Sequence, residues 1–161
     1  MPEAWRIARE KHAATAFSGE GAAKNGGRWN SRGVPVIYAS GAKSLAALET
    51  LVHLNPPMPF KYVAIGITFD DAIVEIVPAK ALPSDWRVEP PSPSSKRIGD
   101  AWVIQARSAV LAVPSVLISG ELNYLLNPAH PGFNQISIGK PERFTFDARV
   151  TARSASTHPR K

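Results

Sequence analysis

Cysteine is absent from the 161 residues of this chain. Its absence excludes disulfide bonds, thiol catalysis and thiolate-bound metal, and it agrees with the reducing cytoplasm in which we expect the protein. Long apolar runs are absent as well. None approaches the ~20 residues that cross a bilayer, and the N-terminus lacks the apolar core of a secretory signal. The sequence therefore predicts a cytoplasmic protein that does not contact a membrane.

The common nucleotide-binding and hydrolytic motifs are missing too. There is no GxGxxG, no GxxxxGK[ST] and no GxSxG, although a Ser-His-Asp arrangement built from distant residues remains open. The histidines show no ligand spacing, so no metal site is expected. Any nucleotide chemistry must rest on a different set of groups.

Basic residues are in excess, yet their distribution argues against nucleic-acid binding. The net charge is +6, and residues 149–161 supply four of these charges without any acid. A nucleic-acid interface requires a basic patch on the folded body, whereas this excess lies in a polar tail that we expect to be disordered, whether native or introduced by cloning. We predict no direct nucleic-acid partner, and the charge suits an acidic protein partner equally well.

The length and composition fit one globular domain, which we place at 1–148, followed by the tail at 149–161. A hydrophobic fraction of 44% and a charged fraction of 20% are ordinary values for a folded protein. Short strand-like runs do not alternate regularly with helices, which argues against a doubly wound parallel sheet. The pattern predicts an α+β fold with a largely antiparallel sheet.

Hydrophobic periodicity places the individual elements. Strands are predicted at 34–39, 61–69, 73–77, 109–118, 135–138 and 143–150, and helices at 42–54 and 98–108. Residues 4–17 fit either type, 121–126 form a short element whose type is left open, 19–33 is loop, and 83–95 is an ordered loop or a flexible excursion. Strict alternation within 61–69 indicates a half-buried strand. Asp70-Asp71 should turn the chain so that 73–77 completes a hairpin with it, and Pro114 suggests an edge or a bulge.

The helix predicted at 42–54 has a start, a buried stripe and a stop. Ser40 is expected to cap it. Leu45, Leu48 and Val52 form its buried stripe. Asn55-Pro56-Pro57 ends the helix. Glu49 would then lie beside the stripe, partly buried at the edge of a pocket.

The stretch from Gly19 to Leu54 carries three groups suited to one ligand. Its glycines permit close approach, and Arg28 offers a planar fork of donors that matches phosphate. Tyr38 adds a flat face and a hydroxyl, and Glu49 adds a carboxylate for a ribose or a developing cation. Together they are what a dinucleotide-cleaving site needs, although each alone is more typical of a surface turn, a core tyrosine or a solvated charge.

Two motifs, GEGA…GGRWNSRGVPVIYAS…LAALE and VPS…NYLLNPAHPGF, resemble the RES-domain toxins, the toxin halves of bacterial Xre–RES toxin–antitoxin pairs. The resemblance runs from about Trp5 to about Phe146. The family takes its name from an arginine, a glutamate and a serine, which correspond to Arg28, Glu49 and Ser115 in this sequence. Tyr38 matches the family's active-site tyrosine.

The resemblance implies an ADP-ribosyltransferase-like fold with a split sheet and a cleft for NAD, and cleavage of the nicotinamide–ribose bond by water or phosphate, leading to growth arrest. It assigns catalytic roles to Arg28, Tyr38, Glu49 and Ser115, and substrate contacts to Gly27, Trp29, Asn30 and Asn123. NAD is then a substrate, and no resident cofactor or metal is expected.

The resemblance also implies partners: an Xre-type helix-turn-helix antitoxin that covers the Arg28 cleft, and a second copy in a homodimer within the toxin–antitoxin complex. Two alternatives stay open. One is a protein ADP-ribosyltransferase that uses NAD, and the other is a non-catalytic module that binds NAD or a partner.

Overall fold

The computed structural model describes residues 3–53 and 60–155. The strands are β1 (Ala4–Arg9), β2 (Ile37–Ser40), β3 (Tyr62–Thr68), β4 (Val74–Ile76), β5 (Val110–Pro114), β6 (Leu122–Leu126), β7 (Ser137–Ile138) and β8 (Glu142–Phe144). The helices are α1 (Glu20–Asn25), α2 (Lys43–Val52), α3 (Pro93–Ile104) and α4 (Ala148–Ala155), with short 3-10 turns at Glu10–Thr15, Asp71–Ile73, Ala79–Ala81 and Phe133–Gln135. None of the helices in these described ranges is long and apolar enough to cross a membrane.

The strands form one sheet in the order β4-β5-β6-β2-β1-β3-β7, with β8 also paired to β3. The pair β4–β5 is parallel, and the other pairs are antiparallel. The predicted α+β class with a largely antiparallel sheet is therefore confirmed. Strands β2 and β6 lie inside the sheet, so the residues they carry are held by ladders on both sides.

Each face of the sheet carries its own core. One face packs the cluster around Ile37, Ile67 and Leu126. The other face packs a cluster rich in tryptophan, formed by Trp29, Val36, Trp86, Trp102, Leu111, Val113 and Leu125. Since neighbours across a ladder share a face, this second face also presents the polar residues of β2 and β6.

The strand predicted at 61–69 is confirmed, but it is not half-buried, because consecutive residues from Tyr62 to Ile65 are all buried, and the hairpin that followed it is wrong. β3 spans Tyr62–Thr68 and pairs with β1, β7 and β8. After it, the Asp70 carboxylate accepts a hydrogen bond from the Ala72 N–H at 2.9 Å and caps a 3-10 turn. This turn sends the chain to the far edge of the sheet, where β4 pairs in parallel with β5.

The predicted capping and stripe of α2 are wrong in part. Ala42, not Ser40, is the N-cap residue, because Ser40 belongs to β2 and donates its hydroxyl to Asn123 Oδ1. Leu45 is buried, but Leu48 and Val52 are 36% and 52% exposed, since the helix packs on the sheet through Leu45 and Ala46.

The remaining predictions differ in their boundaries. Residues 4–17 form β1 and a 3-10 turn, the predicted loop 19–33 contains the short α1, and α3 begins at Pro93 because Ser92 caps it, accepting from the Ser95 N–H at 3.3 Å. Val150, predicted in a strand, lies in α4. The predicted helix stop at 55–57 and tail residues 156–161 lie outside the described residues.

Candidate active site

The glycine loop closes tightly on Tyr38. Gly26 has a φ of +72°, a conformation that favours glycine, and the Gly27 N–H donates to Asn30 O at 3.0 Å. A Cβ on Gly27 would lie 2.7 Å from the Tyr38 hydroxyl oxygen. The loop therefore needs glycine at position 27 to reach the phenol.

The Tyr38 hydroxyl anchors the interior of this loop. It donates to Asn30 Oδ1 at 2.6 Å and accepts from the Trp29 N–H at 3.1 Å. Asn30 is fully buried, and its amide nitrogen donates to the carbonyls of Ala22 and Val34. Burial, and secondarily the charge of Asp100, raises the pKa of Tyr38 far above its ordinary value, against the smaller opposing effects of the Trp29 hydrogen bond and of Arg28. The phenol is thus a neutral structural anchor.

The Arg28 guanidinium faces the segment that precedes α3. Its Nη1 donates to the carbonyls of Trp86 and Val88, both at 2.9 Å, and its Nη2 donates to Glu89 Oε2 at 2.7 Å. The Arg28 side chain is 17% exposed, whereas that of Glu89 is 72% exposed. Nε has no hydrogen-bond partner among the described residues. A ligand anion would therefore reach the guanidinium either by displacing the Glu89 carboxylate or by binding next to it.

Glu49 is held at one carboxylate oxygen. Oε1 accepts from Asn123 Nδ2 at 2.8 Å and from the Ser115 hydroxyl at 3.3 Å. Asn123 is oriented in turn by Ser40, which donates to its Oδ1 at 2.8 Å. Within the described part of the chain Oε2 accepts no hydrogen bond. One oxygen is thus fixed by the protein and the other is free for a ligand hydroxyl.

Ser115 serves this arrangement as a positioning group. Its Oγ also accepts from the N–H groups of Leu117 and Ile118, at 3.1 and 3.2 Å. Ser115 as a whole is 3% exposed, and its hydroxyl donates a hydrogen bond to Glu49. Ser115 therefore orients the carboxylate and is poorly placed to act as a nucleophile.

The predicted residues fall into two groups on one face of the sheet. Gly27, Arg28, Trp29, Asn30 and Tyr38 form the first, and Glu49, Ser115 and Asn123 form the second. Tyr38 pairs with Leu125 and Ser40 with Asn123 in the β2–β6 ladder. Since same-face neighbours along a strand lie roughly 7 Å apart, the two groups are adjacent, although no hydrogen bond or ion pair joins Arg28 to Glu49 among the described residues.

Sequence reasoning missed Arg6. This residue follows Trp5, which pairs with Ser40 of β2, and its Nη1 donates to the Tyr38 carbonyl at 2.8 Å. Its Nε is buried and lacks a hydrogen-bond partner within the described ranges, and burial lowers the pKa of its guanidinium. The signal was a single charge between Trp5 and Ile7, which becomes conspicuous once the segment is known to be a strand.

Other features of the surface do not suit a ligand site of this kind. Among residues 3–53 and 60–155, no three His, Asp or Glu side chains gather in a way that suits a metal ion. A shallow hollow of about 280 Å³ lies elsewhere on the sheet, lined by Trp5, Gly66 and Glu142 among others. None of the predicted site residues lines it, so the candidate site is defined by its hydrogen-bonded groups.

The family of the chain follows from its sequence as a whole. The RES domain family matches residues 3–147, so the chain belongs to the RES-domain family. The resemblance inferred from the two motifs is confirmed.

Relatives share this domain over most of their length. A protein of Sphingobium sp. (strain YBL2) named Prs ADP-ribosylating toxin is 38% identical over 152 residues, which cover 91% of this chain and 94% of that protein. A protein of Yersinia enterocolitica serotype O:8 / biotype 1B named Toxin Res is 35% identical over 148 residues, covering 91% and 97%. This chain is similar to both along nearly the whole of each.

The fold has also been seen in a solved structure. The toxin–antitoxin complex MbcT–MbcA of M. tuberculosis contains a chain that matches with a TM-score of 0.70 and 20% sequence identity, covering 98% of this chain and 91% of that chain. At this identity the match shows a shared fold and nothing about the site.

Proposed function

We propose that this protein is the toxin of a RES-type toxin–antitoxin pair and that it cleaves the nicotinamide–ribose bond of NAD, with water or phosphate as acceptor. The observation that carries the proposal is the Glu49 carboxylate, fixed at Oε1 by Asn123 and Ser115 and free at Oε2. The toxin names of the relatives support it. NAD is consumed as a substrate, and the proposal includes no resident cofactor.

Glu49 would act on the ribose. Loss of nicotinamide gives the ribose oxocarbenium character, as in glycoside hydrolysis. The free Oε2 would accept a ribose hydroxyl and stabilise the developing positive charge, an effect worth a few kcal/mol for a well-placed group. The bonds from Asn123 and Ser115 keep the carboxylate oriented before the reaction, so little reorganisation is needed in the transition state.

Arg28 and Tyr38 would hold the rest of the dinucleotide. Arg28 would bind the pyrophosphate by charge-assisted hydrogen bonds, with Glu89 giving way. Arg6 lies on the opposite face of the sheet, where it pairs with Ile65, and supports β2 from behind through the Tyr38 carbonyl. Tyr38 would stack its ring on the nicotinamide while its hydroxyl holds the loop.

Nicotinamide release tests the proposal. Purified protein is incubated with NAD, and free nicotinamide and ADP-ribose are separated by chromatography, with Glu49→Gln as the inactive variant and Glu10→Gln as a matched control. Glu10 is exposed, and no described residue bonds its side chain. Release by wild type and Glu10→Gln but not by Glu49→Gln is the expected result. A wild-type protein that binds NAD without releasing nicotinamide would instead be a non-catalytic module.

Protein ADP-ribosylation is the second candidate, and the name of the relative with 38% identity favours it. The same cleavage would then deliver ADP-ribose to a protein side chain. Adenine-labelled NAD in a bacterial extract separates the two outcomes. A labelled protein band with little free ADP-ribose indicates transfer, whereas free ADP-ribose or its 1-phosphate indicates water or phosphate as acceptor.

An Xre-type helix-turn-helix antitoxin is the proposed partner, and a toxin–antitoxin complex with the same fold supports such pairing. It would cover the Arg28 cleft, with the toxin present as a homodimer in the complex. Wild-type protein expressed alone should arrest bacterial growth, and co-expression of the neighbouring antitoxin gene should restore it. Normal growth with abundant wild-type protein would argue against a toxin.

A further inference from the structure

Helix α3 contacts the backbone of the glycine loop on both sides of Arg28. Lys96 Nζ donates to Gly27 O at 2.9 Å, and a Cβ built on Gly99 would lie 1.7 Å from Trp29 O. Asp100 bonds Ser31, three positions beyond Arg28. Because positions 96, 99 and 100 share one helical face, a single surface of α3 touches the loop at three points.

Asp100 makes the strongest of these contacts. Its Oδ1 accepts from the Ser31 N–H at 2.8 Å and its Oδ2 accepts from the Ser31 hydroxyl at 2.5 Å. A carboxylate that receives two donors from one residue fixes both the position and the orientation of that residue. Asp100 hydrogen-bonds none of the groups assigned to the reaction; its charge also acts on Tyr38, but its two direct contacts are with Ser31 of the loop.

The segment just before α3 holds the side chain of Arg28, whose neighbouring backbone is contacted by α3. Trp86 and Val88 accept from the Arg28 guanidinium through their carbonyls, and the Trp86 ring stacks on Trp29 with centroids 6.1 Å apart. Arg28 is thus held at its backbone by α3 and at its tip by the segment that leads into α3. If α3 releases Ser31, the guanidinium loses one of the two supports that aim it.

We propose that Asp100 is a positioning residue for substrate binding, which aims the Arg28 guanidinium at the pyrophosphate of NAD by fixing Ser31. This inference rests on the function proposed above and adds to it a residue on a separate element. A residue that only stabilises the fold would affect substrate binding whether or not Arg28 is present. A positioning residue should affect it only when Arg28 is present.

A double-mutant cycle tests this requirement. Asp100→Ala, Arg28→Ala, the double variant and wild type are compared for kcat and KM with NAD, and for the Kd of ADP-ribose, which keeps the pyrophosphate. Asp100→Ala should raise KM and Kd about tenfold and change kcat by less than about threefold. In the Arg28→Ala background it should change KM and Kd by less than about twofold, as expected for residues that act as a unit.

Two further variants guard against unfolding. Asp100→Asn keeps an acceptor for the Ser31 N–H and should recover part of the affinity. Arg97→Ala removes an exposed charge from another face of α3, which bonds only Ser94 among the described residues, and should match wild type in KM.

Each outcome bears on a different statement. The positioning role is wrong if the fold-changes in KM and Kd caused by Asp100→Ala and Arg28→Ala are independent and multiply in the double variant. It is also wrong if Asp100→Asn and Asp100→Ala both leave KM and Kd unchanged. If wild type binds ADP-ribose and the cycle shows coupling, yet no nicotinamide is released from NAD, the catalytic proposal fails and the positioning role stands. If wild type neither binds ADP-ribose nor releases nicotinamide, both are overturned.

Discussion

Glu49 Oε1 and Asn123 Nδ2 lie 2.8 Å apart, and the Asn123 amide is itself held by Ser40 at 2.8 Å. These three residues come from a helix and two neighbouring strands of the sheet. The relay fixes which way the Asn123 amide faces, because the Ser40 hydroxyl donates to its oxygen and leaves its nitrogen for the carboxylate. The Glu49 carboxylate therefore faces a neutral amide donor, at a position where a second negative charge would repel it.

Asn123→Asp should place a like charge against Glu49. Repulsion between the two carboxylates raises their apparent pKa values, so the acidic limb of the kcat/KM profile should move to higher pH. Activity near pH 7 should fall by about tenfold or more, since the lost bond to a charged group is worth roughly 1.5–3 kcal/mol. The measurement is nicotinamide release across pH. Asn134→Asp adds the same charge at an exposed site and should leave the profile unchanged; a similar shift there would make the effect one of net charge.

Glu89→Gln should strengthen NAD binding. The Glu89 carboxylate occupies the Arg28 guanidinium but is 72% exposed, and an exposed pair of this kind contributes ~0–1 kcal/mol. The substrate phosphate would no longer compete with it, so KM should fall by up to about fivefold with little change in melting temperature. Glu142→Gln breaks the exposed pair with Lys43 instead and should leave KM unaltered. A raised KM in Glu89→Gln would mean that the carboxylate orients Arg28 and does not compete for it.

Tyr38→Phe should lower the free energy of unfolding by about 1–3 kcal/mol near pH 8, because Asn30 Oδ1 and the Trp29 N–H lose their partner. The difference should shrink as pH rises past about 10. There the unfolded wild-type chain releases the phenol proton that the folded chain retains, so wild type alone loses this stability. Denaturant titrations at about pH 8 and pH 11 measure both effects. Tyr62→Phe is the control at the lower pH, since its buried hydroxyl has no partner among the described residues and its removal should cost little.

Gly99→Ala should disturb the site through packing. The new methyl would overlap Trp29 O, a backbone atom 1.7 Å away, so either the loop or α3 must move, at a cost of about 1–3 kcal/mol. Gly21→Ala offers the matched comparison, since it lies in α1 with nothing within 4 Å of its Cβ position, and should gain up to ~1 kcal/mol. Thermal unfolding of both variants measures this contrast. Equal stabilities would show that α3 and the loop separate easily, which would undermine the positioning role of Asp100.

The predictions from sequence succeeded where the signal was local. Alternation within 61–69 identified a strand, because a period of two is visible in the residues themselves, although both faces of this strand are buried from Tyr62 to Ile65. Tyr38 and Glu49 were predicted as site residues from their order along one short stretch, and the structure places them on β2 and α2; their roles stay predictions. The family was recognised from two motifs that carry the same order of residue types.

The failures came from contacts between distant segments. Ser40 looks like a helix cap in the sequence, but its hydroxyl bonds Asn123 across the β2–β6 ladder. The turn at Asp70 looks like a hairpin, yet the partner of β4 is β5. Arg28 and Glu89 are 61 positions apart, and Ser31 and Asp100 are 69 apart. No periodicity or spacing links such pairs, so tertiary structure was needed to find them.

The central claim is that the Glu49 carboxylate stabilises the ribose cation as nicotinamide leaves, and Glu49→Gln tests it most directly. The change keeps the shape of the side chain and removes its charge. We measure the rate of nicotinamide release under saturating NAD, together with the Kd of NAD and the melting temperature, for this variant and wild type. The account predicts a loss of kcat of about 100-fold or more, with Kd and melting temperature nearly unchanged. Turnover by Glu49→Gln at the wild-type rate would contradict it.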